Sequence, residues 1–244
     1  MKRVGIFAAT RWEFAAARRV VPDGRPCRFG RTPCVVGRRG RWEVVVARTG
    51  VGPERAAAAC RDVMGEQPLD LAVSAGLAGE LVPARIGDLL VGTDVRVETG
   101  GHRTWPCDRG MAAAAVQAAE RAGLPVKAGS FITAPRILWQ AADKRALAER
   151  TGAVGLDMES AALAEVAAER QVPFVIIRSA SDLVDENLPV DFNLFLTPAG
   201  WLKGLAACVT APSCVGGFLR LRAQMRTATG RVSRFFERFV EELS

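Results

Sequence analysis

The sequence predicts a three-layer α/β domain, and three observations carry that expectation. Short β-rich runs alternate with Ala-rich helical stretches along the chain. Its 244 residues, 49% of them hydrophobic, are enough for one sizeable core. No repeat and no Ser- or Gly-rich linker divides it. Strands that alternate with helices imply a sheet covered on both faces.

In chain order, VGIFAA (4–9), WEVVVAR (42–48), LDLAVSAG (69–76), DLLVGTDVRVE (88–98), VKAGSFIT (126–133) and VPFVIIRSA (172–180) read as strands, rich in β-branched residues and bounded by Gly, Pro or Asp. Residues 53–64, 109–122, 141–150 and 157–170 read as helices. Pro53 suits a first helical turn, where its missing N–H would have no partner anyway. Near the end, Val232, Phe235, Phe236, Phe239, Val240 and Leu243 recur at the spacing of one helix face, with Arg231, Arg234 and Arg238 on the other side. That stripe predicts a closing helix packed on the sheet; the alternative is a basic amphipathic surface touching lipid. Residues 1–197 are expected to carry the catalytic fold, with 198–244 an apolar insertion and C-terminal helix of the same domain.

Composition narrows the function classes. The six cysteines form no CxxC pair and His102 is the only histidine, so neither a zinc site nor a disulfide framework is expected. No apolar run spans a bilayer, and Arg11 interrupts the N-terminal apolar stretch, which predicts a cytoplasmic chain. The net charge of +7 favours anionic surroundings. The arginines lack the interleaved aromatics of an RNA-binding surface, so no nucleic-acid partner is expected.

Ligands of α/β sheets collect where strands end. Glu13 lies just past the first strand, TGVG (49–52) offers a tight turn before a helix, and SAGLAGEL (74–81) places Gly76 and Gly79 where a ligand could approach the backbone. FVIIRSASD (174–182) runs a buried-looking strand into Arg178 and Asp182, and a charge in that position needs a partner or a ligand. The two lie ~13 Å apart if the chain stays extended, so either a turn folds one toward the other or both face a common cavity. In GLDMES (155–160), Asp157 could cap a helix, while Glu159 beside a buried helix surface calls for a hydrogen-bonding partner such as a ribose diol.

Together these motifs resemble the purine nucleoside phosphorylase and nucleosidase superfamily from residue 4 to about residue 196. The likeness is to its methylthioadenosine/S-adenosylhomocysteine nucleosidase branch and to its hopanoid-associated phosphorylases. The resemblance implies a central mixed, partly barrel-like sheet and a set of residue roles. GLDMES is similar to the family's V-E-M-E segment, so Met158 would pack on the nucleoside and Glu159 would hold the ribose diol. RSASD is similar to its R-x-x-S-D segment, making Asp182 the acid at purine N7, positioned by Ser181 with Arg178 nearby. In SFIT, Phe131 would stack on the base and Ile132 would offer its backbone to the purine edge. Glu13 would activate water, Phe192 would flank the 5′ substituent, and Ala78 and Gly79 would lie by the sugar.

The implied reaction releases adenine from a 5′-substituted adenine nucleoside. It needs no cofactor, with inorganic phosphate as co-substrate if the enzyme is a phosphorylase. Glu13, a carboxylate beside the nucleophile, favours water over phosphate, although Arg11, Arg48 and the TGVG turn could cradle an anion. The greasy stretch AGWLKGLAACVTAPSCVGGFL (199–219) suggests a bulky apolar 5′ group, for which adenosylhopane is the candidate, and a peripheral membrane contact. A homodimer is expected from the nucleosidase branch. The non-enzyme alternative is a nucleoside-binding peripheral membrane protein.

Overall fold

The structure is a computed structural model that describes residues 1–99, 103–196 and 213–243. Alternation within the strands builds the layers. In β1 (Lys2–Ala8), Val4 and Ile6 face one core cluster while Phe7 faces the other; in β4 (Trp42–Arg48), Val44 and Val46 oppose Val45 and Ala47 in the same way. One face is covered by α1 (Arg11–Ala17), α3 (Arg109–Arg121) and α6 (Ser213–Glu242), the other by α2 (Pro53–Glu66) and α5 (Ser160–Glu169).

The sheet is mixed. β1 lies between β4 and β5 (Leu71–Glu80), parallel to both. Beyond β5, a ring of strands closes: β10 (Phe174–Asp182), β6 (Leu89–Val97), β8 (Val126–Thr133) and β9 (Gly155–Asp157), which returns to β5. The sheet is therefore partly a barrel. A hairpin of β2 (Arg25–Phe29) and β3 (Thr32–Arg39) extends it beyond β4, and β7 (Thr104–Pro106) pairs with β6.

Three local expectations change. The strand at 69–76 continues through Glu80, because the Gly-rich tail of β5 finds partners on both sides, Arg178–Asp182 in β10 and Gly155–Leu156 in β9. The last strand likewise runs on to Asp182, with a register shift between Ala180 and Asp182. The helix expected from 157 starts at Ser160, because Gly155–Asp157 is taken up as β9.

The C-terminal stripe is core. Val232, Phe235, Phe236, Phe239 and Val240 are each 2% exposed or less, with Phe235 and Phe239 stacked at 5.2 Å between centroids. The lipid-facing alternative for this stripe is thus overturned, since the apolar face is already covered by the sheet and α1. Ser233 Oγ donates to the Ala16 carbonyl (3.1 Å), Arg231 pairs with Asp88 (3.3 Å), and Trp42 Nε1 donates to the Leu243 carbonyl (3.0 Å), which fixes the helix at several points. The apolar insertion at 198–212 lies outside the described residues. No helix among the described residues is long and apolar enough to cross a membrane.

Candidate active site

Several strand ends and the turns after them converge on one cavity of about 240 Å³. Its wall includes Glu13, Ala78, Gly79, Met158, Glu159, Arg178, Ser181 and Asp182.

Glu13 enters through a capping box at the start of α1. Its Oε2 accepts from the Thr10 N–H (2.8 Å) and hydroxyl (2.7 Å), while the Thr10 oxygen accepts from the Glu13 N–H (3.2 Å). Its Oε1 accepts from the Leu77 N–H at 2.7 Å. Gly76, at φ 151°, makes this approach possible: a Cβ there would stand 2.2 Å from Glu13 Oε1. One oxygen of Glu13 thus caps α1, while the other is held at the cavity wall by the Leu77 amide.

Arg178, 2% exposed, is the hub. Its Nη2 lies 3.0 Å from Asp157 Oδ2 and 3.5 Å from Glu159 Oε2, and donates to Ser74 Oγ at 2.9 Å; its Nη1 donates to the Leu77 carbonyl (3.1 Å) and lies 3.8 Å from Glu13 Oε1. Burial would lower the guanidinium pKa, but the Asp157, Glu159 and Glu13 carboxylates more than offset this and raise it. This answers the question the buried charge poses: its partners are three carboxylates from two segments, Glu13 of α1 and the Asp157 and Glu159 pair between β9 and α5.

Asp157 ties the cluster to α5. Its Oδ1 accepts from Thr133 Oγ1 (2.8 Å) and from the Glu159 and Ser160 N–H groups (3.2 and 3.1 Å), while its Oδ2 accepts from Ser160 Oγ. Glu159, 5% exposed, accepts the Gly52 N–H at 2.9 Å on Oε1. Burial pushes its carboxyl from 4.5 up to about 7; Arg178 and the Gly52 amide hold the rise back, while Asp157 and Glu13 add to it. Three carboxylates surround one guanidinium in this buried place, and Glu159 is the one whose proton affinity burial raises to near neutrality.

The amides of the TGVG turn are largely engaged. Thr49 and Gly50 N–H donate to the Ala8 and Ala9 carbonyls at 2.9 and 3.1 Å, and Gly52 N–H to Glu159. The turn joins β4 to β1 and to Glu159, and little of it is left to bind an anion.

Asp182, at the end of β10, is 8% exposed. Ser181 Oγ donates to its Oδ1 at 2.9 Å and to the Ala78 carbonyl at 3.2 Å. Sequence reasoning missed its other partner: Lys144 Nζ on α4 (Ala141–Thr151), with no exposure at all, donates to Asp182 Oδ2 at 2.9 Å. The carboxylate at the end of β10 is therefore held in a buried ion pair. A faint signal existed, since Ala141, Lys144 and Leu147 are spaced as one helix face, and Lys144 stands in an otherwise apolar row.

Three expected site residues lie elsewhere. Phe131 is completely buried against Gly155, where a Cβ would come within 2.6 Å of its ring, so it cannot stack on a ligand from there. Ile132 is held in β8 between Arg96 of β6 and Leu156 of β9. Phe192 sits against Phe218 (5.8 Å, edge to face) in a second and larger hollow of about 990 Å³ between α1 and the first half of α6. The sequence reading also passed over Arg136, Ile137 and Leu138, which line the cavity as well. Among the described residues, no group of three or more His, Cys, Asp or Glu side chains is placed to hold a metal ion.

The profile of the phosphorylase superfamily matches residues 3–199 of this chain. The 5′-methylthioadenosine/S-adenosylhomocysteine nucleosidase of Shewanella loihica is 29% identical over 220 residues, covering 81% of this chain and 94% of that protein. Among solved structures, the fold is similar to the Neisseria meningitidis 5′-methylthioadenosine/S-adenosylhomocysteine nucleosidase in complex with methylthio-immucillin-A (TM-score 0.80, 21% identity, 99% of each chain). It is also similar to a futalosine hydrolase mutant of Helicobacter pylori (TM-score 0.77, 18% identity, 99% of this chain and all of that one).

Proposed function

The chain belongs to the phosphorylase superfamily, and on that premise we propose that it hydrolyses the N-glycosidic bond of a 5′-substituted adenine nucleoside, with adenosylhopane as substrate and adenine as product. The observation that carries the reaction class is the convergence of Glu13, Glu159 and Asp182 on one 240 Å³ cavity. Asp182 protonates purine N7 as the C1′–N9 electron pair moves into the base, Glu159 accepts hydrogen bonds from the ribose hydroxyls and stabilises the cationic sugar, and Glu13 takes a proton from the attacking water. Ser181 fixes the acid, and Met158, Ala78 and Gly79 line the nucleoside's bed. No cofactor enters this chemistry.

Water is favoured over phosphate by charge. Glu13 and Glu159 flank the nucleophile's position, the Arg178 guanidinium is already engaged by three carboxylates, and the Thr49, Gly50 and Gly52 amides are taken. A phosphate dianion would meet more repulsion than attraction.

The large hollow supports the apolar 5′ group. Helix α1 is a wall common to both spaces: Glu13 lines the cavity, while Trp12 and Ala15, with Arg19 just after the helix, line the hollow. A substituent leaving the sugar toward Phe192 would enter a space lined by Phe218, Leu221 and Met225. The exposed Trp12 and Leu219, with Arg222 and Arg226 beside them, suit uptake of such a substrate from a lipid surface. Residues 1–197 and 198–244 would then act as one domain, in a cytoplasmic homodimer that touches the membrane at its periphery.

Adenine release from adenosylhopane and from methylthioadenosine, followed in parallel on wild type and Ala15→Trp, tests this. Wild type should prefer adenosylhopane, and the filled hollow should cost that substrate about tenfold or more in kcat/KM while sparing the small one. Preference of the wild type for methylthioadenosine would remove the hopanoid assignment.

A further inference from the structure

Two consecutive residues join the cavity to the large hollow. Phe192 and Asn193 open a short 3-10 turn, Phe192–Leu196. The Phe192 ring stands in the hollow against Phe218 of α6, while the Asn193 side chain bonds to Ile137, which lines the cavity.

The wall at Ile137 has no ladder of its own. Residues 135–140 lie between β8 and α4 and belong to neither, so their peptide groups need partners from elsewhere. Asn193 serves two of them: its Oδ1 accepts from the Ile137 N–H at 2.8 Å, and its Nδ2 donates to the Ile137 carbonyl at 2.8 Å. The same Nδ2 also donates to Asp191 Oδ1 at 2.7 Å, and that oxygen accepts from the Asn193 N–H at 2.9 Å. Both amide hydrogens are thus used, and only one orientation of the side chain satisfies the set. The neighbouring chain pins the rest of the segment, since the Leu188 N–H donates to the Trp139 carbonyl (2.8 Å) and Asn187 Oδ1 accepts from the Ala141 N–H (2.7 Å).

Satisfying main-chain groups accounts for the Asn187 and Leu188 bonds. Asn193 differs because of the residue before it. An occupant of the hollow that packs on the Phe192 ring restrains the turn, and the amide gripping Ile137 is carried on the next Cα, ~3.8 Å along the chain.

We propose that Asn193 is a positioning residue for the cavity wall at Ile137 and that, through Phe192, an apolar group in the hollow steadies that wall. The inference rests on the proposed function and deepens it: the 5′ substituent acts on kcat as well as on KM. Binding energy gathered far from the reacting bond then appears as better orientation at that bond.

The test compares 5′-methylthioadenosine with 5′-decylthioadenosine, which carries a long apolar chain. In wild type the long chain should raise kcat about tenfold besides lowering KM, and in Asn193→Ala the kcat advantage should vanish while the KM advantage stays. Amide hydrogen exchange of the ligand-free protein reads the link without turnover. Exchange at Ile137 should quicken about tenfold or more in Asn193→Ala and also in Phe192→Ala. Ala141, held by Asn187, should stay protected in both variants, which shows that the segment remains folded. A purely local role for Asn193 would leave Ile137 unmoved by Phe192→Ala. Equal kcat for the two substrates in wild type, a kcat advantage that survives in Asn193→Ala, or unchanged Ile137 exchange in Phe192→Ala would overturn the inference and leave adenine release standing. Linked exchange in a protein that releases no adenine would remove the reaction and keep the clamp.

Discussion

Glu159 shows how the site sets one property against another. Held at about 7 chiefly by burial, its carboxyl must be ionised to make the ribose contact proposed for it, so kcat/KM should rise with pH through about 7 on the acid side. The stability consequence has the opposite sign. Between 4.5 and about 7 the folded protein holds a proton that the unfolded chain has lost, so Glu159 supports folding most fully below 4.5 and its contribution falls as pH rises through 7. Thermal denaturation of wild type and Glu159→Gln across this range should give Tm values that diverge as pH rises, with the inactive variant gaining. Parallel curves would mean that Glu159 carries no strained charge. Much of this was legible residue by residue, because Glu13, Glu159, Arg178 and Asp182 are polar groups in otherwise apolar surroundings. Lys144 was not, because a lysine in the charged run DKRALAER looks like any solvated helix face.

At the scale of elements, α1 carries two duties that can be pulled apart. Thr10→Ala removes the cap and should cost about 1 kcal/mol of stability, seen as a lower denaturant midpoint, while leaving Glu13 Oε1 on the Leu77 N–H and most of the activity intact. Glu13→Gln should keep a cap acceptor yet lose at least about 100-fold in kcat. Equal losses of activity in both variants would reduce Glu13 to a structural cap. Long periodic elements such as α2 and α3 could be read from the sequence, because the apolar spacing that defines them is local. The seven-residue α1 was too short to show a period, and the β2–β3 hairpin was hidden by arginines on its exposed edge. The tails of β5 and β10 looked like loops because glycine and charge normally break strands. Here pairing between the two, Arg178 opposite Gly76 and Asp182 opposite Gly79, overrides local preference and carries both charges to the cavity on extended chain.

For the whole molecule, the ring from β5 through β10, β6, β8 and β9 back to β5 brings segments more than 100 residues apart to one rim. No local pattern encodes such a closure; it was reachable only through family resemblance. Its consequence is spatial: Asp182, Glu159 and Glu13, proposed as acid, ribose-binding and water-activating carboxylates, come from β10, from the turn between β9 and α5, and from α1, and meet at one cavity. The central claim is that Asp182 gives a proton to the departing base while water, not phosphate, takes the sugar. The most direct measurement follows adenine and the sugar product from an adenine nucleoside, with and without phosphate, for wild type and Asp182→Asn. Adenine and free sugar in phosphate-free buffer, with release at least about 100-fold slower in the variant, is the predicted result. A sugar 1-phosphate formed only when phosphate is present, or undiminished release by Asp182→Asn, would contradict it.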